Sequence, residues 1–381
     1  LSVLSNLPDI NFVNTSVEIL LAGMIADYEA AYLAQTGEAK KLQPGDPVRI
    51  WIYAQALRIY QAYVLIDATA KQNLLRYATG DYLDNMGARY GNRGLRLSAD
   101  KAVVAVRYTL SVAQTSVVTI PAGTRTSPGN GVYFATKEII EILAGQLSID
   151  VSAECTEAGT LGNGYTTGQI NILVDPIPYV ASVSNIDTSQ GGSEVEDNDS
   201  YRDRLYLLPE SFSVAGPEEA YKYFTKQYSS SIKDVKATSP SAGVVDVRFI
   251  LQDGELPGET LIAEVLDYLS AKIRRPLTDN VTGGAPLTVS YDTLLTYYIS
   301  KDNAAFATSI QSAVNAAVAD YNIWQKSKIG RDINPSELNS RIQQAGAKRA
   351  VITSPVYTVV LEAQLAISGT ITVTYGGLED E

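Results

Sequence analysis

The chain has 381 residues, 45% hydrophobic and 19% charged, the composition of a globular protein with enough length for two to four domains. A formal net charge of −12 argues against a large duplex-DNA footprint, and no apolar run reaches membrane-spanning length. There is no histidine and only one cysteine, Cys155, which excludes imidazole acid–base catalysis, His-based triads, cysteine-based zinc sites and an internal disulfide.

Residues 1–15 are polar and turn-prone and read as an arm. No charged-then-apolar signal peptide opens them, and with leucine as the first residue an upstream leader stays open. Thr15 or Ser16 is placed to cap a first helix running to about Ala34, with Val17, Leu21, Met24, Tyr28 and Ala31 on one face. A loop over 37–47 joins it to a second helix, and the pair is expected to form an antiparallel hairpin. The second helix should span 48–78, free of proline and glycine, a rod of about 45 Å. It carries two apolar seams. Ile52, Ala56, Ile59, Tyr63, Ile66 and Ala70 form one, and Ile50, Tyr53, Leu57, Tyr60 and Val64 the other. One core needs one stripe, so two seams predict neighbours on both sides, either inside this chain's own bundle or with one seam given to another chain. Trp51 lies beside these seams and suits core packing or a partner anchor. Gly80 then suits a left-handed helix end, Asp81 a cap, and Gly91 the stop of a short helix with Leu83, Met86 and Tyr90 inward.

Beyond Arg96 the texture turns to strands. Segments 101–110, 117–124, 133–136, 147–154, 170–174 and 180–185 alternate apolar and polar residues between glycine-rich turns, giving a small β domain over 98–190. Cys155 reads as a small core residue. The paired Gly191 and Gly192 permit a reversal before an acidic run, Glu194, Glu196, Asp197 and Asp199, which leads into a helix carrying Arg202 and Arg204. That run lacks the spacing and central glycine of a calcium loop. Its neighbouring arginines favour a structural or interface ion network over a metal or a carboxylate pair for catalysis. The glycine clusters at 129–131 and 159–164 do not match a phosphate loop. From Val214 the pattern is α+β: helices over 216–228 and 257–274, strands at 244–251 and 287–300, helices over 304–321 and 335–344, then strands at 351–361 and 370–375. A strand–helix–strand cassette thus occurs twice in loose form. The fold class is multidomain α+β, with an N-terminal helical hairpin over 1–97, a central small β domain over 98–190, and C-terminal α+β domains over 191–290 and 291–381.

Several of these stretches together resemble the baseplate J-like family of contractile phage tails and tailocins. Leu83, Asp84, Gly87 and Gly91, with Arg93 one residue early, match its Leu-Asp-x-x-Gly-x-x-x-Gly-x-x-Arg segment. Ile120 to Thr124 match its Ile-Pro-Ala-Gly-Thr turn, Phe134 and Thr136 its Phe-x-Thr step, and Gly159, Gly162 and Asn163 its Gly-x-x-Gly-Asn turn. Gly191, Gly192, Glu194, Glu196, Asn198, Arg202 and Arg204 match its most specific signature. Later steps around 274–281 and 329–338 extend the likeness over about residues 45–360. The resemblance implies a non-enzymatic wedge component with no cofactor. Its N-terminal helices, through Ile52, Ala56, Ile59, Tyr63 and Ile66, would join a core bundle with other wedge proteins. Its remaining domains would meet further copies of itself in a ring around the hub, near sheath-initiating proteins. It implies assembly in the bacterial cytoplasm and no nucleic-acid or membrane partner. A surface glycan-binding adhesin and a carboxylate-pair glycosidase are the other classes that the residues leave open.

Overall fold

A computed structural model describes residues 3–212 and 216–380. The expected onset of the α+β pattern at Val214, and residues 1 and 2 of the arm, lie outside these. The chain divides into two compact units, Leu1–Leu95 and Arg96–Glu381.

The first unit is helical. Helix α1 (Val17–Thr36) is capped by Ser16, whose hydroxyl accepts from the Ile19 N–H, and ends on left-handed Gly37. Helix α2 (Pro47–Lys71) starts with Asp46 accepting from Val48 N and proline at its first position. The helices run antiparallel. Glu29 near the end of α1 accepts from Leu42 N (2.9 Å) just before α2, whereas Phe12, ahead of α1, donates to Asp67 at the far end of α2 (2.7 Å). Helix α2 stops seven residues short of the expected 78. There the Asn73 side chain bonds back to Thr69 O and the Asn73 and Leu74 amides close tight turns onto Ala70 and Lys71, so local bonds replace the helical ladder. Gly80 therefore does not end the long helix. With φ +52° it opens α3 (Gly80–Ala88), where Leu83 and Gly87 are buried while Tyr90 is exposed.

The second unit begins with a barrel-like sheet. Its strands are β1 (Lys101–Leu110), β2 (Val118–Ile120), β3 (Arg125–Ser127), β4 (Phe134–Thr136), β5 (Ile140–Ile142), β6 (Ser148–Ala158), β7 (Ile172–Leu173) and β8 (Val180–Asn185). Six of them form one sheet in the order β7-β3-β4-β6-β1-β8, and β2 pairs with β5. Asn185, fully buried, brings the two ends of that sheet together: its Oδ1 accepts from Ile170 N (2.8 Å), its own N–H donates to Ile170 O, and its amide nitrogen donates to three further carbonyls. Val104, Val106, Tyr108, Phe134 and Val151 alternate inward and fill the interior with Ile120, Ile142 and Ile170.

Helices α4 (Asn198–Leu207) and α5 (Glu218–Tyr228) follow, then β9 (Ile232–Ser241), β10 (Val244–Leu251), α6 (Glu259–Ser270) and β11 (Asn280–Gly284). The sheet order is β11-β10-β9, with β10 antiparallel to β9 and parallel to β11 across the α6 crossover. The last part is β12 (Leu287–Ser300), α7 (Ala307–Lys326), α8 (Pro335–Gln344), β13 (Arg349–Ser354) and β14 (Gln364–Glu379), in sheet order β13-β12-β14. Both three-stranded sheets give the central strand one antiparallel and one parallel neighbour. In the first the antiparallel neighbour precedes it, in the second it follows, so the two cassettes differ in connection. Strands β9 and β11 were not expected, the strand expected over 351–361 ends at Ser354 before Pro355, and β14 extends well beyond 370–375 at both ends.

Candidate functional site

The signature residues of the second unit converge on one joint between the barrel and the helices that follow it. The turn after β6 is built on Gly159 (φ +107°), whose missing side chain leaves room for Glu194: a Cβ there would lie 2.8 Å from Glu194 Oε1. Glu194 accepts from Thr160 N (3.2 Å). Asn163 then pairs with the reversal at Gly191 and Gly192 as a second backbone would, donating to Gly192 O (2.7 Å) and accepting from Gly192 N (2.9 Å). A Cβ on Gly192 would lie 2.4 Å from Gly159 O, so the two turns touch backbone to backbone. The Ile120 and Phe134 motifs meet in the same way: Thr124 and Thr136 both donate their hydroxyls to Pro121 O (2.8 Å each).

Glu196 and Arg204 form the centre of the joint. Arg204 Nε and Nη2 donate to the two carboxylate oxygens of Glu196 at 2.8 and 2.7 Å, with side chains only 1% and 3% exposed. Glu196 Oε2 also accepts from Leu97 N (3.0 Å), and Arg96 donates to Glu196 O and Asn198 Oδ1 while stacking on Tyr201 (4.5 Å). Burial alone would lower the Arg204 pKa, but the hydrogen bonds and the charge of Glu196, with smaller contributions from Tyr223 and Tyr201, together outweigh it and the guanidinium stays charged. Asp197 caps α4 through Asp199 N and Ser200 N. Burial pushes its carboxyl up, and those hydrogen bonds more than offset it, so its pKa lies below the ordinary value. Behind it Asp100 sits among Ser193, Ser229 and Ser230, its pKa raised by burial against those bonds.

Arg202 and Arg204, expected to act together, divide. Two positions apart on a helix they point in different directions. Arg204 is inside, while Arg202 lies nearer the surface with Asp199 as its ion pair. Arg204 is thus an internal brace and not part of an exposed interface network.

A cleft of about 780 Å³ opens on this joint. Residues 188–197, Ser230, Ser231 and the 251–256 turn line it, including Glu194, Asp197, Asp253 and Glu255 but no lysine or arginine. Among the described residues no group of three or more Cys, Asp or Glu side chains is placed to hold a metal ion. The chemistry of the joint is that of a brace: paired charges, backbone-mimicking amides and glycine contacts.

In the first unit the expected bundle residues also divide. Ile52 and Ala56 are buried inside the hairpin, which removes them from any surface offered to a partner, whereas Ile59 and Ile66 are exposed and Tyr63 half-buried. Of the other seam, Ile50, Tyr53, Leu57 and Val64 are exposed, as is Trp51 at 63%, so Trp51 is not a core residue of this unit. The buried residues of α2 are confined to its first turns. Asp84 is half-buried. Gly87 and Gly91 (φ +62°) shape the turn after α3, but the residue that this turn needs most is Gly94, which was not singled out: a Cβ there would lie 2.0 Å from Gly87 O. Asn185 was missed as well. Neither shows in the apolar pattern, because the demand comes from backbone groups: Gly87 O seven residues before Gly94, and the amides and carbonyls of 165–187 around Asn185.

Three family profiles match the chain in order: the baseplate J-like protein barrel domain over 105–192, the baseplate J-like central domain over 213–284, and the baseplate J-like protein C-terminal domain over 295–374. The chain belongs to the baseplate J-like family. The barrel domain ends on the Gly191–Gly192 reversal, so the brace joins the family's barrel to its central domain. The segment from Leu83 to Gly94 lies outside all three regions. Baseplate protein J of Escherichia phage P2 is 27% identical over 210 residues, 54% of this chain and 65% of that protein. Uncharacterized protein YqbT of Bacillus subtilis (strain 168) is 26% identical over 291 residues, 76% of this chain and 68% of that protein. Baseplate protein gp47 of Escherichia phage Mu is 26% identical over 230 residues, 56% of this chain and 62% of that protein. The matched region thus spans less than two thirds of either phage protein.

Proposed function

We propose that this baseplate J-like chain is a non-enzymatic structural component of the wedge of a contractile tail, in a phage or a phage-tail-like bacteriocin. The observation that carries the reading is the run of three family regions in order, supported by relatives that are named baseplate proteins. In this reading α2 gives Ile59, Tyr63 and Ile66, and its second seam, to helices of neighbouring wedge proteins in a core bundle. Their exposure along a 25-residue helix in which only Ile52 and Ala56 are buried favours this. The barrel and α+β regions meet further copies in a ring around the hub, and wedge contacts rearrange as target contact is passed to the sheath. Assembly takes place in the bacterial cytoplasm and the product is part of the tail particle.

The test is the double variant Ile59→Asp plus Ile66→Asp, expressed in a host whose own copy is deleted. Both positions are exposed, so the purified monomer should keep its helical circular dichroism and unfolding midpoint. Tail particles should lack the protein or fail to form. Normal incorporation of the variant would refute the bundle role of α2.

A further inference from the structure

The two ends of α6 carry surfaces of matching chemistry. At its N-terminal end Gly258 donates to Gln190 Oε1 (2.6 Å) and the Gln190 amide to Leu256 O, which seats the helix start on the wall of the cleft described above. The cleft has apolar lining in Val195, Leu251 and Leu256. Around these stand the carboxylates of Glu194, Asp197, Asp253 and Glu255, none of which forms an ion pair among the described residues. At the C-terminal end, after Ser270, the loop 271–279 projects Ile273 (80% exposed) and Leu277 (87%), the two most exposed large apolar side chains among the described residues, beside exposed Lys272. This loop is held in shape from behind. Arg274 stacks on Tyr268 at 3.5 Å and donates to Tyr268 O, and Arg275 donates to Ser270 O and Asp279 O. A rigid loop that presents apolar tips loses little freedom on docking.

Loop and cleft lie a helix length apart, about 18 Å for the twelve residues of α6, so the loop cannot fill the cleft of its own chain. We infer that the 271–277 loop of one copy docks head to tail into the cleft of the next copy, with Ile273 and Leu277 on the apolar lining and Lys272 against the carboxylates. The charge match selects this occupant: the cleft is acidic with no cation in its lining, and the loop joins a cation to apolar tips. A contact between two different surfaces of the same chain repeats from copy to copy, closing a ring when the rotation allows. The inference rests on the ring reading above and names the contact that reading needs.

Two experiments on tail particles from a complemented host test it. Lys272→Glu and Glu255→Lys, both surface changes, should each lower incorporation by about three- to fivefold, the effect of an exposed ion pair, and the two together should restore it. Ile273→Cys combined with Val195→Cys should give, on mild oxidation of sedimented particles, a ladder of covalent multimers of this chain that neither single variant gives. Normal particles from both charge variants and no ladder would overturn the contact while leaving the ring reading intact. A disulfide from the Ile273→Cys variant to a different protein would overturn the second copy as occupant. Absence of the wild-type protein from the particles would overturn the ring reading itself, and this inference with it.

Discussion

Replacing Arg204 by methionine tests the brace directly. The change removes two charge-assisted hydrogen bonds of 2.8 and 2.7 Å and leaves Glu196, 3% exposed, without a counter-charge. Removing one partner of such a buried pair costs about 3–5 kcal/mol, because the remaining charge is stranded away from water. Glu196→Gln should cost about 2–3 kcal/mol: the amide keeps one bond to the guanidinium but leaves a buried cation uncompensated. In the double variant, Glu196→Gln with Arg204→Met, no charge is stranded, so its cost should fall short of the sum of the singles by about 2–3 kcal/mol. The assay is urea unfolding of the full chain in a Trp51→Phe background, so that half-buried Trp324 reports the second unit while the exposed Trp51 of the first is silent. Costs below about 1 kcal/mol, typical of a surface pair, or additivity of the two singles, would refute the argument. By the same reasoning, charge reversal at Arg204 sets two carboxylates together in the interior and should unfold the joint even in the monomer.

Other expectations follow from the same geometry. Asn185→Ala removes one acceptor and three donated bonds from a fully buried seam and should destabilise the barrel by about 3 kcal/mol or more, read from the same tryptophan transition or from amide exchange of β7 and β8. Gly94→Ala drives a methyl to 2.0 Å from Gly87 O and should cost the first unit about 2 kcal/mol or more, seen as an earlier loss of helical circular dichroism, whereas Gly23→Ala, with open space around it, should be neutral or stabilising. Asp175, hydrogen-bonded and ion-paired to Arg125 on β3, has its pKa lowered from 3.8 to about 2. Its contribution is present above pH 3.8 and is lost as the pH falls towards 2. The unfolding midpoints of wild type and Asp175→Asn should therefore differ at pH 5 and converge at pH 2. Both side chains are well exposed, so the difference will be small.

The cap of α1 was legible because its chemistry is local: Ser16 bonds to the amide three residues on, and the alternation of β1 shows one face buried, whereas Asp81, expected to cap α3, lies in its first turn behind Thr79. What failed was decided by how the backbone is paired, by a neighbouring strand or by a competing side chain, which the apolar pattern does not record. Strand β9, rich in Lys, Asp and Ser, exists because β10 lies beside it. Strand β11 ends in Gly283 and Gly284, and a Cβ on Gly283 would sit 2.2 Å from Val247 O, a demand set by its parallel neighbour. The end of α2 was missed because Asn73 was read as one more helical residue rather than as a competitor for the backbone. At the brace, the residue types and their neighbourhood were legible as an ion network. That Arg204 and Arg202 face different ways follows from helical rotation, but which of the two is buried depends on how α4 packs. The exposure of Ile59 and Ile66 could not be read either, since a seam looks the same whether its own chain or another covers it.

The central claim is that this chain is a stoichiometric part of a tail baseplate. The measurement that tests it most directly is the abundance of the protein in sedimented tail particles from the native host, by quantitative mass spectrometry against sheath and hub proteins. The account predicts recovery at a fixed stoichiometric ratio to the sheath and hub proteins, as a closed cyclic assembly requires. Particles that lack the protein while it is found free or secreted would contradict it.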